Sequence, residues 1–98
     1  MFNKTTQKAK EIARKFSADF PPSQQEEIKN HKVADKFGRA LLQFRGNIAT
    51  YQKEERMWFV RRVVFAKALQ SELLQLGYPK DIVRRLMSDA MRVISFGN

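Results

Sequence analysis

The sequence predicts an all-α fold, either a four-helix bundle or an open helical array organised round one long central helix. Apolar residues recur at helical spacing through most of its 98 residues, and no segment alternates as a half-buried strand does. Proline and glycine divide the chain at three places: Pro21-Pro22, Gly46-Asn47 and Gly77 to Pro79. We therefore expect one domain over residues 1–98, with helices over about 4–20, 24–45, 48–76 and 79–95 and a frayed tail at 96–98.

The first predicted helix has one apolar side, on which Ile12, Phe16 and Phe20 recur four residues apart, and lysines occupy the opposite side. Pro21-Pro22 ends it, because proline has no N–H donor and the residue before proline avoids the α region. Residues 23–26, Ser-Gln-Gln-Glu, then match a capping box, whose Ser and Glu side chains satisfy free amides at a helix start. The second helix is therefore expected to begin at about residue 24.

Gly46-Asn47 predicts the end of the second helix, since glycine takes the left-handed C-terminal conformation at the least cost. The third helix then begins at Asn47, which can cap it, or at Thr50, with residues 47–49 as a loop. Its central part, residues 54–76, is apolar over most of its circumference, as in a helix buried on several sides. In its longer form this helix spans about 44 Å and overhangs a compact fold of this length, so we expect another chain to cover it.

The third predicted helix has two apolar sides, which need more partner surface than three short amphipathic helices supply. Trp58, Phe65 and Leu69 lie on one side, with Arg62 projecting between them. Three placements suit an arginine there: stacked on an aromatic ring, paired with a carboxylate, or at a point where this side of the helix reaches the surface. We expect a homodimer whose interface uses the second side. Its predicted interface residues are Phe59, Val60, Val63 and Leu74.

The fourth helix follows a turn in which Gly77 suits the position after a helix end and Pro79 suits a first helical turn. It has the most regular pattern in the chain, with one broad apolar face from Ile82 to Ile94 and a basic face opposite. The glycine-containing turn between two helices is also found in helix–turn–helix proteins. The spacing is equally good for an ordinary helical hairpin, and the preceding helix is too long for the usual DNA-binding arrangement.

Composition indicates a basic globular protein. The net charge is +9, from 19 basic and 10 acidic residues, which favours polyanionic partners such as nucleic acid. The chain has no Cys, so disulfides, thiolate metal ligands and a Cys nucleophile are excluded. No apolar run approaches the roughly 20 residues that cross a bilayer, and the N-terminus lacks the apolar core of a secretory signal. We therefore expect a cytoplasmic protein without a membrane partner.

Nothing in the sequence indicates catalysis. His31 is the single His and lies among polar residues, whereas a catalytic His needs an orienting partner and a pocket. The adjacent pairs Glu26-Glu27 and Glu54-Glu55 lie near predicted helix starts, where they complement the helix dipole. Metal-binding, phosphate-loop and nucleophile-elbow motifs are absent from the sequence. We expect no enzymatic activity, cofactor, metal or small-molecule substrate.

Two functions remain. The first is nucleic-acid binding, DNA or RNA, through basic faces of the second and fourth helices, whose phosphate contacts would be salt-dependent. Its candidate residues are Lys29, Lys32, Lys36, Arg39, Arg84, Arg85 and Arg92. The alternative is a protein-interaction or assembly module whose basic surface meets an acidic partner. The first explains the charge and the second explains the broad apolar circumference of the third helix. A basic helix face can also serve solubility alone.

Overall fold

The computed structural model describes residues 3–23, 31–55 and 59–96, and within these ranges the chain forms four helices and no strand. The helices are α1 (Asn3–Asp19), α2 (His31–Glu55), α3 (Phe59–Gln75) and α4 (Lys80–Phe96). The predicted all-α fold class is therefore confirmed. The predicted capping box at residues 23–26 extends outside the described ranges, as does the tail beyond Phe96.

The boundary between the second and third helices differs from the prediction. α2 continues through Gly46-Asn47 to Glu55, so the predicted end at residue 45 and the predicted single helix over 48–76 are both wrong. Ile48 and Tyr51 are buried on the same side of α2 as Phe44. Their burial offsets the roughly 1 kcal/mol that a glycine costs in a helix interior.

The longest helix is α2, whose 25 residues span about 38 Å. The described part of the molecule measures 41 × 25 × 19 Å, so α2 runs along its long dimension without overhanging it. The predicted overhang of a long third helix is therefore wrong. Helix length therefore no longer supports the expectation of a second chain.

The first helix lies between α2 and α3 and runs antiparallel to α2. Near one end of this pair the rings of Phe20 and Phe37 lie 5.0 Å apart, centroid to centroid. Near the other end the Tyr51 hydroxyl donates to Thr5 Oγ1 over 3.5 Å. The two contacts join the end of α1 to the start of α2, and the start of α1 to the end of α2.

The contact between α1 and α3 is the most extensive between any two helices, and the two run parallel. Thr6 lies beside Val64 early in both helices, and Arg14 Nε donates to Glu72 Oε2 over 3.0 Å later in both. The fully buried Ala9 and Ala13 share a side of α1 with Thr6. Because interaxial distance depends on the side chains at the contact, these small residues let the two helices approach closely.

The fourth helix packs against α2 and α3 and completes the bundle. Most of its predicted apolar face is buried, with Val83, Leu86, Ala90 and Ile94 in the common core, whereas Met91 on the same face is 42% exposed. Beside that core the Arg85 guanidinium carbon lies 5.4 Å from the centroid of the Phe37 ring of α2, a cation–π contact.

An aromatic cluster occupies the core where α1, α2 and the α3–α4 turn meet, and Phe16 is at its centre. The centroid of the Phe16 ring lies 5.3 Å from that of Phe44, 6.3 Å from that of Phe37 and 5.6 Å from that of Tyr78. Most of these pairs are tilted or edge-to-face, the arrangements that aromatic quadrupoles favour. A second aromatic pair, Tyr51 and Phe65, stacks between α2 and α3 with centroids 5.4 Å apart.

The turn between α3 and α4 has the geometry that the sequence predicts. Gly77 has a φ of 104°, and its amide donates to the Leu74 carbonyl over 3.1 Å. The Tyr78 amide donates to the Leu73 carbonyl over 3.4 Å, which completes a Schellman motif. The buried Tyr78 hydroxyl then donates to the Phe20 carbonyl, so this turn is tied to the end of α1.

Gly46 and Gly77 both lie at predicted turns, and replacing each with alanine should change the stability of the fold in opposite directions. Gly46 lies inside α2 with open space around a Cβ, so Gly46→Ala should stabilise the fold by about 0.5–1 kcal/mol. Gly77→Ala meets only Pro22 Cβ at 4.0 Å, but its left-handed backbone should cost about 1 kcal/mol or more. Urea denaturation measures both changes. A destabilised Gly46→Ala variant would contradict the continuous helix.

The pKa of Tyr78 predicts loss of stability at alkaline pH. Burial raises the pKa of Tyr78 to about 12 from its ordinary value of 10.0, and a hydrogen bond with Ser17 acts in the opposite direction. The folded state therefore holds this proton more tightly than the unfolded chain does. The resulting stability is present below about pH 10 and is lost as pH rises from about 10 to about 12.

Urea denaturation of the wild type and of Tyr78→Phe from neutral to strongly alkaline pH measures this effect. The difference between the two proteins isolates the contribution of Tyr78. We expect the free energy of unfolding to fall more steeply for the wild type. Parallel curves throughout would contradict the assignment.

Candidate functional site

Three exposed apolar side chains lie along the outer face of α3. They are Val60, Val63 and Leu74, whose exposed fractions are 39%, 45% and 41%. At 100° per residue they fall within an arc of about 60°, so they form one line along the helix, here named the α3 stripe. The described residues include two other exposed large apolar side chains, Leu42 on α2 and Met91 on α4. Exposed apolar surface is thus concentrated on α3.

Grooves border the α3 stripe on both sides. The groove between α1 and α3 is lined by Thr6, Val64, Lys67, Ala68, Gln70, Ser71 and Leu74. The groove between α3 and α4 is lined by Gln70, Leu74, Lys80, Val83 and Arg84. Because Gln70 and Leu74 line both, the two grooves meet at the stripe and form one surface across three helices.

The charge of this surface has one sign. Lys67 lies in the first groove, Lys80 and Arg84 lie in the second, and no Asp or Glu is among the described residues that line either. The single carboxylate of α3, Glu72, is buried on another side of the helix, where it accepts from Arg14. The α3 stripe is therefore a line of exposed apolar side chains with Lys67 between Val63 and Leu74, and Lys80 and Arg84 lie in the groove beside it.

The groove between α1 and α2 has a mixed charge instead. In its wider part, Lys15 of α1 lies near Lys36 and Arg39 of α2, with Asp19 among them. Further along the same two helices, Glu11 and Glu54 accompany basic residues of α1. Carboxylates thus interleave with the cations along this groove.

The predicted basic residues do not come together on one surface. Lys36 and Arg39 lie between α1 and α2, whereas Arg84 lies between α3 and α4. Arg85 extends over Phe37, and Arg92 is exposed on α4. Lys29 lies outside the described residues, and Lys32 is described by its helical backbone alone.

Sequence reasoning missed Lys15 as a neighbour of Lys36 and Arg39, and it missed Lys80 as a neighbour of the α3 stripe. No pattern within one helix joins these residues, since each grouping depends on which helices pack side by side. Val60, Val63 and Leu74, three of the predicted interface residues, share one exposed face of α3, and their helical spacing was visible in the sequence, as was that of Lys67 between them. Phe59, the fourth, is described by its backbone alone, and self-association through the four stays a prediction.

Other kinds of site find no support in the described ranges. No three His, Asp or Glu residues there are grouped so that they could hold a metal ion. None of the helices described there has the length and hydropathy to cross a membrane. No protein-family model, curated protein or solved structure matches this chain.

Proposed function

We propose that this protein is a protein-interaction module that uses the outer face of α3. The observation that supports the proposal is the exposure of Val60, Val63 and Leu74 along one line of one helix. Exposed apolar side chains that share one helix face and are interspersed with polar residues are suited to protein–protein interaction. On α1, by contrast, Ala18 is the one apolar residue of the exposed face, so α1 has no comparable line of large apolar side chains.

The size of the α3 stripe indicates what its partner must do. Full burial of a Val or Leu side chain contributes about 1.5–3 kcal/mol, and these three are already more than half buried. The stripe alone therefore offers roughly 2–3 kcal/mol, which does not offset the cost of association. A partner must also fill the grooves beside it, where Val64 and Ala68 are half-buried. An elongated element meets that requirement better than a single inserted side chain.

Replacing Ser71 with a photo-crosslinking amino acid, in cells that naturally produce this protein, tests the proposal. Ser71 is exposed in the groove beside Leu74, so we expect discrete crosslinked proteins that disappear when Leu74→Glu is added. The same probe at Leu42 on α2 is the matched control, because Leu42 is 66% exposed on another helix. Identical crosslinks from both positions, or crosslinks that survive Leu74→Glu, would contradict an α3 interaction face.

Nucleic-acid binding is the second candidate, and one observation favours it. Lys15, Lys36 and Arg39 converge from two helices in one groove of a chain whose net charge is +9. The carboxylates of Asp19, Glu11 and Glu54 in the same groove oppose phosphate binding, so this function ranks below protein interaction.

A salt titration with generic duplex and single-stranded nucleic acid tests the second candidate. If Lys36 and Arg39 contact phosphates, neutralising both should lower the slope of log affinity against log salt by about 2. Lys53→Gln, at an exposed position of the same helix, is the control. Equal slopes for the double variant and the control would exclude this groove as a phosphate-binding site.

A further inference from the structure

We propose that the α3 face binds an amphipathic helix of another protein, whose apolar line is flanked by Asp and Glu. This inference rests on the proposed function, because it names the partner class for the same face. A second copy of this chain and an anionic membrane are the other occupants that the experiment separates.

Charge indicates an acidic partner. Lys67 lies on the stripe itself between Val63 and Leu74, and Lys80 and Arg84 lie in the groove towards α4, with no carboxylate among the described residues of either groove. A helix lying along the α3 stripe would therefore have one cation beneath it and two along its edge towards α4. Carboxylates at these places would gain attraction and faster encounter, and lysines there would be repelled.

Shape indicates a helix. The 17 residues of α3 span about 26 Å, and its exposed stripe has flanking grooves towards α1 and α4. An amphipathic helix places apolar residues at i, i+3, i+4 and i+7 into such a surface. Val60, Val63 and Leu74 would contact that apolar line, and Gln70 lies at the junction of the grooves.

The same charges disfavour a second copy. A twofold interface brings the same patch of both subunits together, so Lys67, Lys80 and Arg84 would meet their own counterparts. Glu72, the one carboxylate of α3, is buried and engaged by Arg14, so it cannot offset this repulsion. Glu11, Asp19 and Glu54 line the groove between α1 and α2 instead. The residues that line the two grooves therefore offer no charge complementarity for self-pairing.

Two synthetic helical peptides and the full chain provide the test. Both peptides carry the same heptad-spaced Leu residues, flanked by Glu in one peptide and by Lys in its twin, and fluorescence anisotropy measures their affinities. We expect the Glu peptide to bind at least about tenfold more tightly, since several charge pairs of about two- to fivefold each differ between the peptides. Leu74→Ala should weaken its binding about fivefold or more, and Leu42→Ala should leave it unchanged.

Charge reversal shows whether the basic residues act directly. Lys67→Glu combined with Arg84→Glu should weaken binding of the Glu peptide and strengthen binding of the Lys twin. Both side chains are exposed, and circular dichroism with urea denaturation establishes that each variant remains folded. Reduced binding of both peptides by a folded double variant would overturn the inference, because a general loss is not electrostatic complementarity.

The remaining outcomes separate this inference from the proposed function. Equal binding of the two peptides, reduced for both by Leu74→Ala, would overturn the acidic partner and keep the protein-interaction face. Sedimentation of a dimer that Leu74→Glu dissociates, without peptide binding, would identify a second copy and likewise overturn only this inference. Binding to phosphatidylserine–phosphatidylcholine vesicles that Leu74→Glu abolishes, without peptide binding, would overturn both. The absence of all three kinds of binding would also overturn both.

Discussion

The bundle depends on the burial of Phe16, whose ring contacts aromatic residues from two other parts of the chain. Phe37 and Phe44 approach it from α2, and Tyr78 approaches it from the turn after α3. The Tyr78 hydroxyl also donates to the Phe20 carbonyl, which fixes that turn against the end of α1. This cluster therefore holds α2 and the α3–α4 turn against α1.

The position of α3 between α1 and α4 explains why its outer face is open. α1 makes its most extensive contact with α3, and α4 covers an adjoining side. No helix of the described chain remains for the side of α3 that carries Val60, Val63 and Leu74. The packing of the bundle therefore leaves the α3 stripe at the surface, and the proposed protein interaction rests on this exposure.

The candidate site could be predicted in part from the sequence. The helical spacing of Val60, Val63 and Leu74 was sufficient to place them together, because side chains three and eleven positions apart share a helix face whatever surrounds it. The charge of their surroundings was not predictable. Lys67 belongs to α3, but Lys80 borders the same face only because α4 folds back along α3. Single-helix patterns cannot assign residues to a groove between helices.

The sequence by itself determined the all-α class, the first and last helices and the turn at Gly77, because each depends on local periodicity or backbone conformation. Only the tertiary structure decided that α2 continues through Gly46 and that α3 begins at Phe59. A glycine costs about 1 kcal/mol in a helix interior, so a prediction from the local sequence ends the helix there. Burial of Ile48 and Tyr51 in the common core contributes more than that cost, and it becomes visible only once the helices are packed.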